Sequence, residues 1–337
     1  MFLSFSKDSD AQLTSNLIDM STSTKGIKPN HTSTPYFRSL FAVMLGMLPL
    51  GAVHGQVFAV DYNDNAVGEY DYTTGEAINT SFITGLNGPE GLTISGNNLY
   101  VTNAGGNSIG KYDVTTGAAI NASFVTGLSL PIGMAVSGNN LYVGNISGVS
   151  IGEYDATTGA AINASLITGV QNPLGLALSG NNLFVTNYNT DSIGQYNATT
   201  GAAINTSFIT GLSAPESLVI SGNNLYVVNT SGNTIGKYDA TTGAAIDASF
   251  ITGLSGPVSL SLAGNNLYVA NFSNSTIGQY DATTGAAVNP TLVPNAPNVQ
   301  GIVVVVVPEP PTWALLLGVF GVLGVCGCPH IRRSHRV

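Results

Sequence analysis

Three carboxylates break the pattern of an otherwise regular sequence. Glu90 and Glu216 each follow a proline, at a position where matching segments carry Ile132, Leu174, Val258 and Gln300. Asp61 closes a short β-prone run whose later copies close with Asn103, Asn145, Asn187, Asn229 and Asn271. Carboxylates surrounded by amide oxygens are the donor set of a hard cation such as Ca²⁺. Glu90, Glu216 and Asp61 are therefore the candidate metal ligands, against the plainer alternative of solvated carboxylates. The recurring asparagines read as turn chemistry, because Asn tolerates left-handed φ and bonds neighbouring loops.

No catalytic set accompanies these acids. The histidines are His31, His54, His330 and His335, and the cysteines are Cys326 and Cys328, so residues 57–306 contain neither type. The commonest general base and metal ligand is absent from that stretch. The balance leans against an enzyme, and no disulfide framework is available to hold the fold.

The elements that position the acids repeat. Tyr70, Tyr112, Tyr154, Tyr196, Tyr238 and Tyr280 are spaced by 42 residues without slippage. Each precedes an Asp/Asn-x-Thr-Thr-Gly turn, in which the first side chain caps its own backbone and Gly supplies a left-handed position. One unit divides into four strand candidates: Pro131–Ser137, 140–143, 150–154 and 160–167. Short strands between turn signals indicate all-β structure. Four strands in about 40–45 residues match a β-propeller blade.

Counting the units gives six, but the array is permuted. It opens on a second strand at Val57 and closes on a first strand near 301–306. The last blade then joins both chain ends, which closes the ring and leaves no open edge between blades. The expected fold is an all-β six-bladed propeller over residues 57–306. In a six-fold ring, Glu90 and Glu216, three units apart, face each other across the central channel. Loops joining second to third and fourth to first strands build the face that carries them.

The units resemble NHL/YVTN-type bacterial propellers, through Pro-x-Gly-Leu/Ile, Asn-x-Leu-Tyr/Phe-Val and Ile-Gly-x-Tyr-Asp segments across nearly all of 57–306. The resemblance implies the fold and leaves function open. The glutamate position in the first strand is also similar to a metal-ligand position in gluconolactonase/regucalcin-like propellers. That likeness implies a metal-dependent hydrolase as the alternative function. Streptogramin-lyase-like propellers depend on a histidine that these repeats lack.

Charge excludes one partner class. Charged residues make up 8% of the chain, against about 25% in an average soluble protein. Between Val57 and Val306 the only cations are Lys111 and Lys237, against fourteen Asp and Glu. Nucleic-acid binding rests on clustered Lys and Arg, so no nucleic-acid partner is expected.

The flanks carry address signals. Residues 1–56 place Lys25, Lys28 and Arg38 before an apolar run at 40–53 and small residues near Gly55, the pattern of a secretory signal with a long polar lead. Residues 307–337 run from Pro308-Glu309-Pro310 through an apolar helix to Arg332, Arg333 and Arg336. Order and position closely resemble a PEP-CTERM sorting signal; a plain C-terminal membrane anchor is the alternative. The resemblance implies an exosortase-type partner and anchoring in the inner membrane before sorting. The destination it implies is the cell surface or extracellular matrix of a Gram-negative bacterium. The expected function is a non-catalytic binding or scaffold propeller associated with exopolysaccharide or envelope protein.

Overall fold

The computed structural model describes residues 54–307. The segments expected to be a secretory signal (1–56) and a sorting tail (307–337, with Pro308, Glu309, Pro310, Arg332, Arg333 and Arg336) lie outside the described residues, except residues 54–56 and Val307, which are strand. Six four-stranded antiparallel sheets form the blades of a propeller. Blade 1 combines β1 (His54–Asp61), β2 (Ala66–Asp71) and β3 (Ala77–Ile83) with β24 (Val299–Val307). Blade 2 is β4 (Pro89–Ser95), β5 (Asn98–Asn103), β6 (Ser108–Asp113) and β7 (Ala119–Thr126). Blade 3 is β8 (Pro131–Ser137), β9 (Asn140–Asn145), β10 (Ser150–Asp155) and β11 (Ala161–Thr168). Blade 4 is β12 (Leu176–Ser179), β13 (Asn182–Asn187), β14 (Ser192–Asn197) and β15 (Ala203–Thr210). Blade 5 is β16 (Pro215–Ser221), β17 (Asn224–Asn229), β18 (Thr234–Asp239) and β19 (Ala245–Ile251). Blade 6 is β20 (Pro257–Ala263), β21 (Asn266–Asn271), β22 (Thr276–Asp281) and β23 (Ala287–Val293).

The closing blade pairs the two ends as the permuted array requires. Asp61 lies opposite Val299 and His54 opposite Val307, so the ladder extends beyond both repeat boundaries read from sequence. β24 therefore runs from the loop-rich face at Val299 to the opposite face at Val307. Such pairing of first and last strands makes ring opening a loss of a whole ladder rather than a local event.

Period-two alternation explains where the core sits. Along β1, Phe58 and Val60 pack toward blade 2 while Val57 and Ala59 pack toward blade 6. Repeating this at every blade produces six cores, each lying between two neighbouring blades. The fourth strands are exposed along most of their length and bury only their last apolar pair, such as Phe82 and Ile83. In four blades that pair puts a Phe against the second-strand aromatic; the Phe58 and Phe82 rings are 5.1 Å apart.

The turn motif works as its residues dictate. Asp155 Oδ1 accepts the Thr157 and Thr158 amides at 2.9 and 2.7 Å and the Thr158 hydroxyl at 2.9 Å. These bonds hold its carboxyl below the usual carboxylate range, the Thr158 amide contributing most. Gly159 has φ +78, and a Cβ there would stand 2.1 Å from the Phe124 carbonyl oxygen of the preceding blade. Gly is thus fixed twice, by conformation and by close approach.

Candidate functional site

The innermost strands β4, β8, β12, β16, β20 and β24 surround a central channel of about 640 Å³. That volume lies within the range of small-ligand pockets. Glu90 and Glu216 both line it, at the starts of β4 and β16. The strand order around the ring sets them on opposite walls, with Gln300, Ile132, Leu174 and Val258 completing the level. Among the described lining residues these two glutamates are the only ionisable side chains.

The inner ring is tight because of small residues one step further on. A Cβ on Gly91 would lie 2.2 Å from the Ile132 carbonyl oxygen, and one on Gly301 would lie 2.2 Å from that of Glu90. Blades 5 and 6 use serine at the same place. Ser217 Oγ accepts the Leu260 amide at 3.2 Å and Ser259 Oγ accepts the Ile302 amide at 3.1 Å. Close backbone approach in one arc and hydroxyl bridges in the other fix the walls that carry the glutamates.

Burial pushes the Glu90 carboxyl up to about 7. Glu216 is pushed up to about 7 as well, chiefly by burial; the nearby Thr230 hydroxyl pulls it down and the Glu90 charge pushes it up. Desolvation of the charged form is the common cause. The residues nearby supply no compensating cation: Lys111 and Lys237, the only Lys or Arg among the described residues, are buried elsewhere, between blades.

Asp61 does not join the glutamates. Its Oδ1 accepts the Asp64 amide at 3.2 Å and the Asn298 side-chain amide at 3.4 Å, which ties the blade 1 loops together. Among the described residues no three His, Cys, Asp or Glu side chains form a group able to hold a metal. Two of the three candidate ligands share the channel, and the third sits outside its lining.

The recurring asparagines are clamps. Asn103 Oδ1 accepts the Asn87 amide, and Asn145, Asn187, Asn229 and Asn271 repeat the bond to the loop that enters their own blade. They are buried and structural, as a residue present in every unit suggests. The left-handed φ expected at these positions falls four residues later instead, at Asn65, Asn107, Val149, Asp191, Asn233 and Ser275.

Sequence reasoning passed over a second series that breaks the repeat on this face. The residue after Asp61 is Tyr62, and those after the five clamps are Ala104, Ile146, Tyr188, Thr230 and Phe272. Tyr62 and Phe272 are 40% and 42% exposed, large values for aromatic rings. Tyr62 leans over the next blade, where a Cβ on Gly88 would be 3.8 Å from its ring. Each aromatic residue of this series precedes, by 28 positions, a polar member of the channel series: Tyr62 and Glu90, Tyr188 and Glu216, Phe272 and Gln300. The aliphatic and small members precede Ile132, Leu174 and Val258. Reading the two series together at that offset is the signal that would have exposed the pairing.

No protein-family model matches the sequence, and no curated protein matches it. Among solved structures, the chain is similar to one in the crystal structure of a nidogen/laminin complex. The TM-score is 0.64 and the identity 17%, over 74% of this chain and 98% of that one. A computationally designed protein, Ika8, is similar with a TM-score of 0.46 and 17% identity, over 73% of this chain and 76% of that one. At such identity the first likeness shows the fold, a β-propeller, and nothing of the ligand.

Proposed function

We propose that the protein is an exported, non-catalytic binding propeller that holds an extracellular polysaccharide on its loop-rich face. The observation that carries this is the loop-rich face, which exposes the Tyr62 and Phe272 rings and on which a channel lined by the Glu90 and Glu216 carboxyls opens, in a repeat without His or Cys. Exposed aromatic rings on a polar rim suit ligands that are wet on one side and apolar on the other. The secretory-type start and the Pro308-Glu309-Pro310 tail add the address: handling by an exosortase-type enzyme and delivery to the cell surface or matrix. Envelope protein is the other partner class this address allows.

Binding of purified protein to an array of neutral, acidic and amino polysaccharides tests the ligand class. Silence on every polymer removes it. Replacing Pro308, Glu309 and Pro310 with alanine in the full chain tests the address. Retention of the variant in the inner membrane, with the parent chain released, is the expected outcome.

The opposed glutamates favour one alternative, a Ca²⁺-dependent lactonase-like hydrolase using Glu90 and Glu216 without Asp61, which lies outside the channel lining. Its test is the melting temperature with and without Ca²⁺, together with hydrolysis of simple lactones. Absence of both a Ca²⁺-dependent melting shift and lactone turnover would remove that alternative.

A further inference from the structure

We infer that the polysaccharide held at the channel mouth is an amino-sugar polymer bearing free ammonium groups, a partly de-N-acetylated chain, received between Glu90 and Glu216. This inference rests on the polysaccharide reading above and adds the chemical class of the ligand.

Three observations lead to it. First, the propeller exposes no Lys or Arg among its described residues, since Lys111 and Lys237 are only 8% and 9% exposed. Uronic-acid and other acidic polymers would meet a surface of one repelling sign, so like charge counts against them. Second, Glu90 and Glu216 stand on opposite walls of a channel with no third acid nearby. A small hard cation needs several oxygens converging on one point. Separated carboxyls instead match a ligand with separated charges, such as amines carried on successive sugars. Third, Tyr62 and Phe272 stand exposed on the same face. Aromatic faces attract ammonium groups as well as apolar sugar faces.

The carboxyls are also left with an unmet demand. Burial raises both to about 7, and no other ionisable group lines the channel among the described residues. An arriving ammonium supplies the missing countercharge and holds both in the ionised form. Affinity should therefore rise as pH increases from about 5 to 7 and the carboxyls ionise. It should fall again where the ligand amines lose their protons.

The test is equilibrium binding of the purified, processed protein to three probes of equal length: a β-1,4-glucosamine hexamer, its fully N-acetylated counterpart and a neutral glucose hexamer. Glu90→Gln and Glu216→Gln remove charge with little change of shape, and Gln300 already occupies the equivalent place. The expected result is binding of the glucosamine hexamer with the pH profile above, weakened by salt. Each Gln variant should lose affinity about tenfold or more while keeping its melting profile at pH 5. Equal binding of the acetylated or neutral hexamer overturns the inference and leaves the polysaccharide reading standing. Silence of all three on this protein, together with silence on the polymer array, overturns both. Glucosamine binding that both Gln variants retain also overturns the inference, because it would reflect the diffuse acidity of the surface.

Discussion

The Lys111 ammonium of blade 2 donates to the Ala156 carbonyl of blade 3 at 3.0 Å, beside the Tyr100 hydroxyl, which donates to the same oxygen at 2.7 Å. Its Nζ also lies 4.8 Å from the Phe124 ring centroid. Lys237 repeats the arrangement with Ala282 three blades on, and the Tyr226 hydroxyl completes it. The two lysines among the described residues therefore serve the joints between blades and leave the loop-rich face without an exposed Lys or Arg.

That geometry separates two substitutions at one position. Desolvation already lowers the Lys111 pKa, although Asp155 partly restores it. Lys111→Met removes the buried charge while Tyr100 still satisfies the carbonyl, so stability should stay within about 1 kcal/mol of the parent. Lys111→Glu sets a carboxylate against carbonyl oxygens and Asp155, and should cost about 3–5 kcal/mol. Urea midpoints at constant slope measure both. Similar losses for Met and Glu would contradict the role given to Tyr100.

Val149 is the one β-branched residue among the left-handed positions of the loop face, with φ 43. Its counterparts bond across the loop: Asn107 Oδ1 accepts the Leu130 amide at 2.7 Å, and Asp191 Oδ1 accepts the Ala214 amide at 2.7 Å. Val149→Asn relieves the backbone and offers the same acceptor to the Asn172 amide. A gain of about 1–2 kcal/mol is expected, read as a raised melting temperature. A lower melting temperature would show that Val149 contributes packing that its exposure does not suggest.

Closure of the ring depends on Gly301. Alanine there forces β24 away from the Glu90 carbonyl and should cost about 1–3 kcal/mol. Gly85 is the converse case, with φ +73 but nothing within 4 Å of a Cβ, so its penalty is conformational where that of Gly301 is steric. Gly85→Ala should cost about 1 kcal/mol. A melting temperature of Gly301→Ala equal to that of the parent would show that the inner ring relaxes freely.

The channel glutamates make stability depend on pH in a definite direction. Their folded pKa values, about 7, lie above the ordinary 4.5, so the native state binds protons more tightly than the unfolded chain. Their favourable contribution is complete below about 4.5 and is lost as pH rises through about 7. Glu90→Gln should match the parent at pH 4.5 and exceed it at pH 8 by about 1–2 kcal/mol, after discounting for partial exposure. Removing Glu90 should also lower the Glu216 pKa, since its charge raises it. Melting curves at the two pH values, with a ¹³C-carboxyl titration of Glu216, check both points.

The turn acids act in the opposite sense. Hydrogen bonds depress Asp155, so its contribution is present at neutral pH and is lost as pH falls through and below the ordinary 3.8. Asp155→Asn should preserve the turn, because Asn197 already accepts the Thr199 and Thr200 amides at 3.0 and 2.9 Å. Asp155→Ala should lower the melting temperature at pH 7, and that difference should shrink as pH falls below the ordinary 3.8 and the charge is lost.

Most of the architecture was legible because each unit repeats its punctuation without insertion. The Asp-Ala-Thr-Thr-Gly turn ending at Gly159 and the short apolar run of Asn140–Asn145 between its flanking asparagines fix the strand ends by local chemistry alone. The site was half legible. Glu90 and Glu216 stood out as departures from the repeat, and ring symmetry set them opposite each other. Asp61 looked equivalent to them by type, yet its carboxylate is used by Asn298 and Asp64, a contact between residues 237 positions apart. The aromatic series was present in the sequence but had no meaning until neighbouring blades lay side by side.

By itself the sequence determined the number of blades, the permuted closure and the positions where the repeat is broken, because these follow from period and turn chemistry within one unit. Only the tertiary structure decided which polar groups face the channel and which hold the fold. Lys111 and Glu90 occupy similar-looking strands, but one points into a joint between blades and the other into open space. That difference arises from how each strand's two faces are shared between its neighbours, and no single unit contains it.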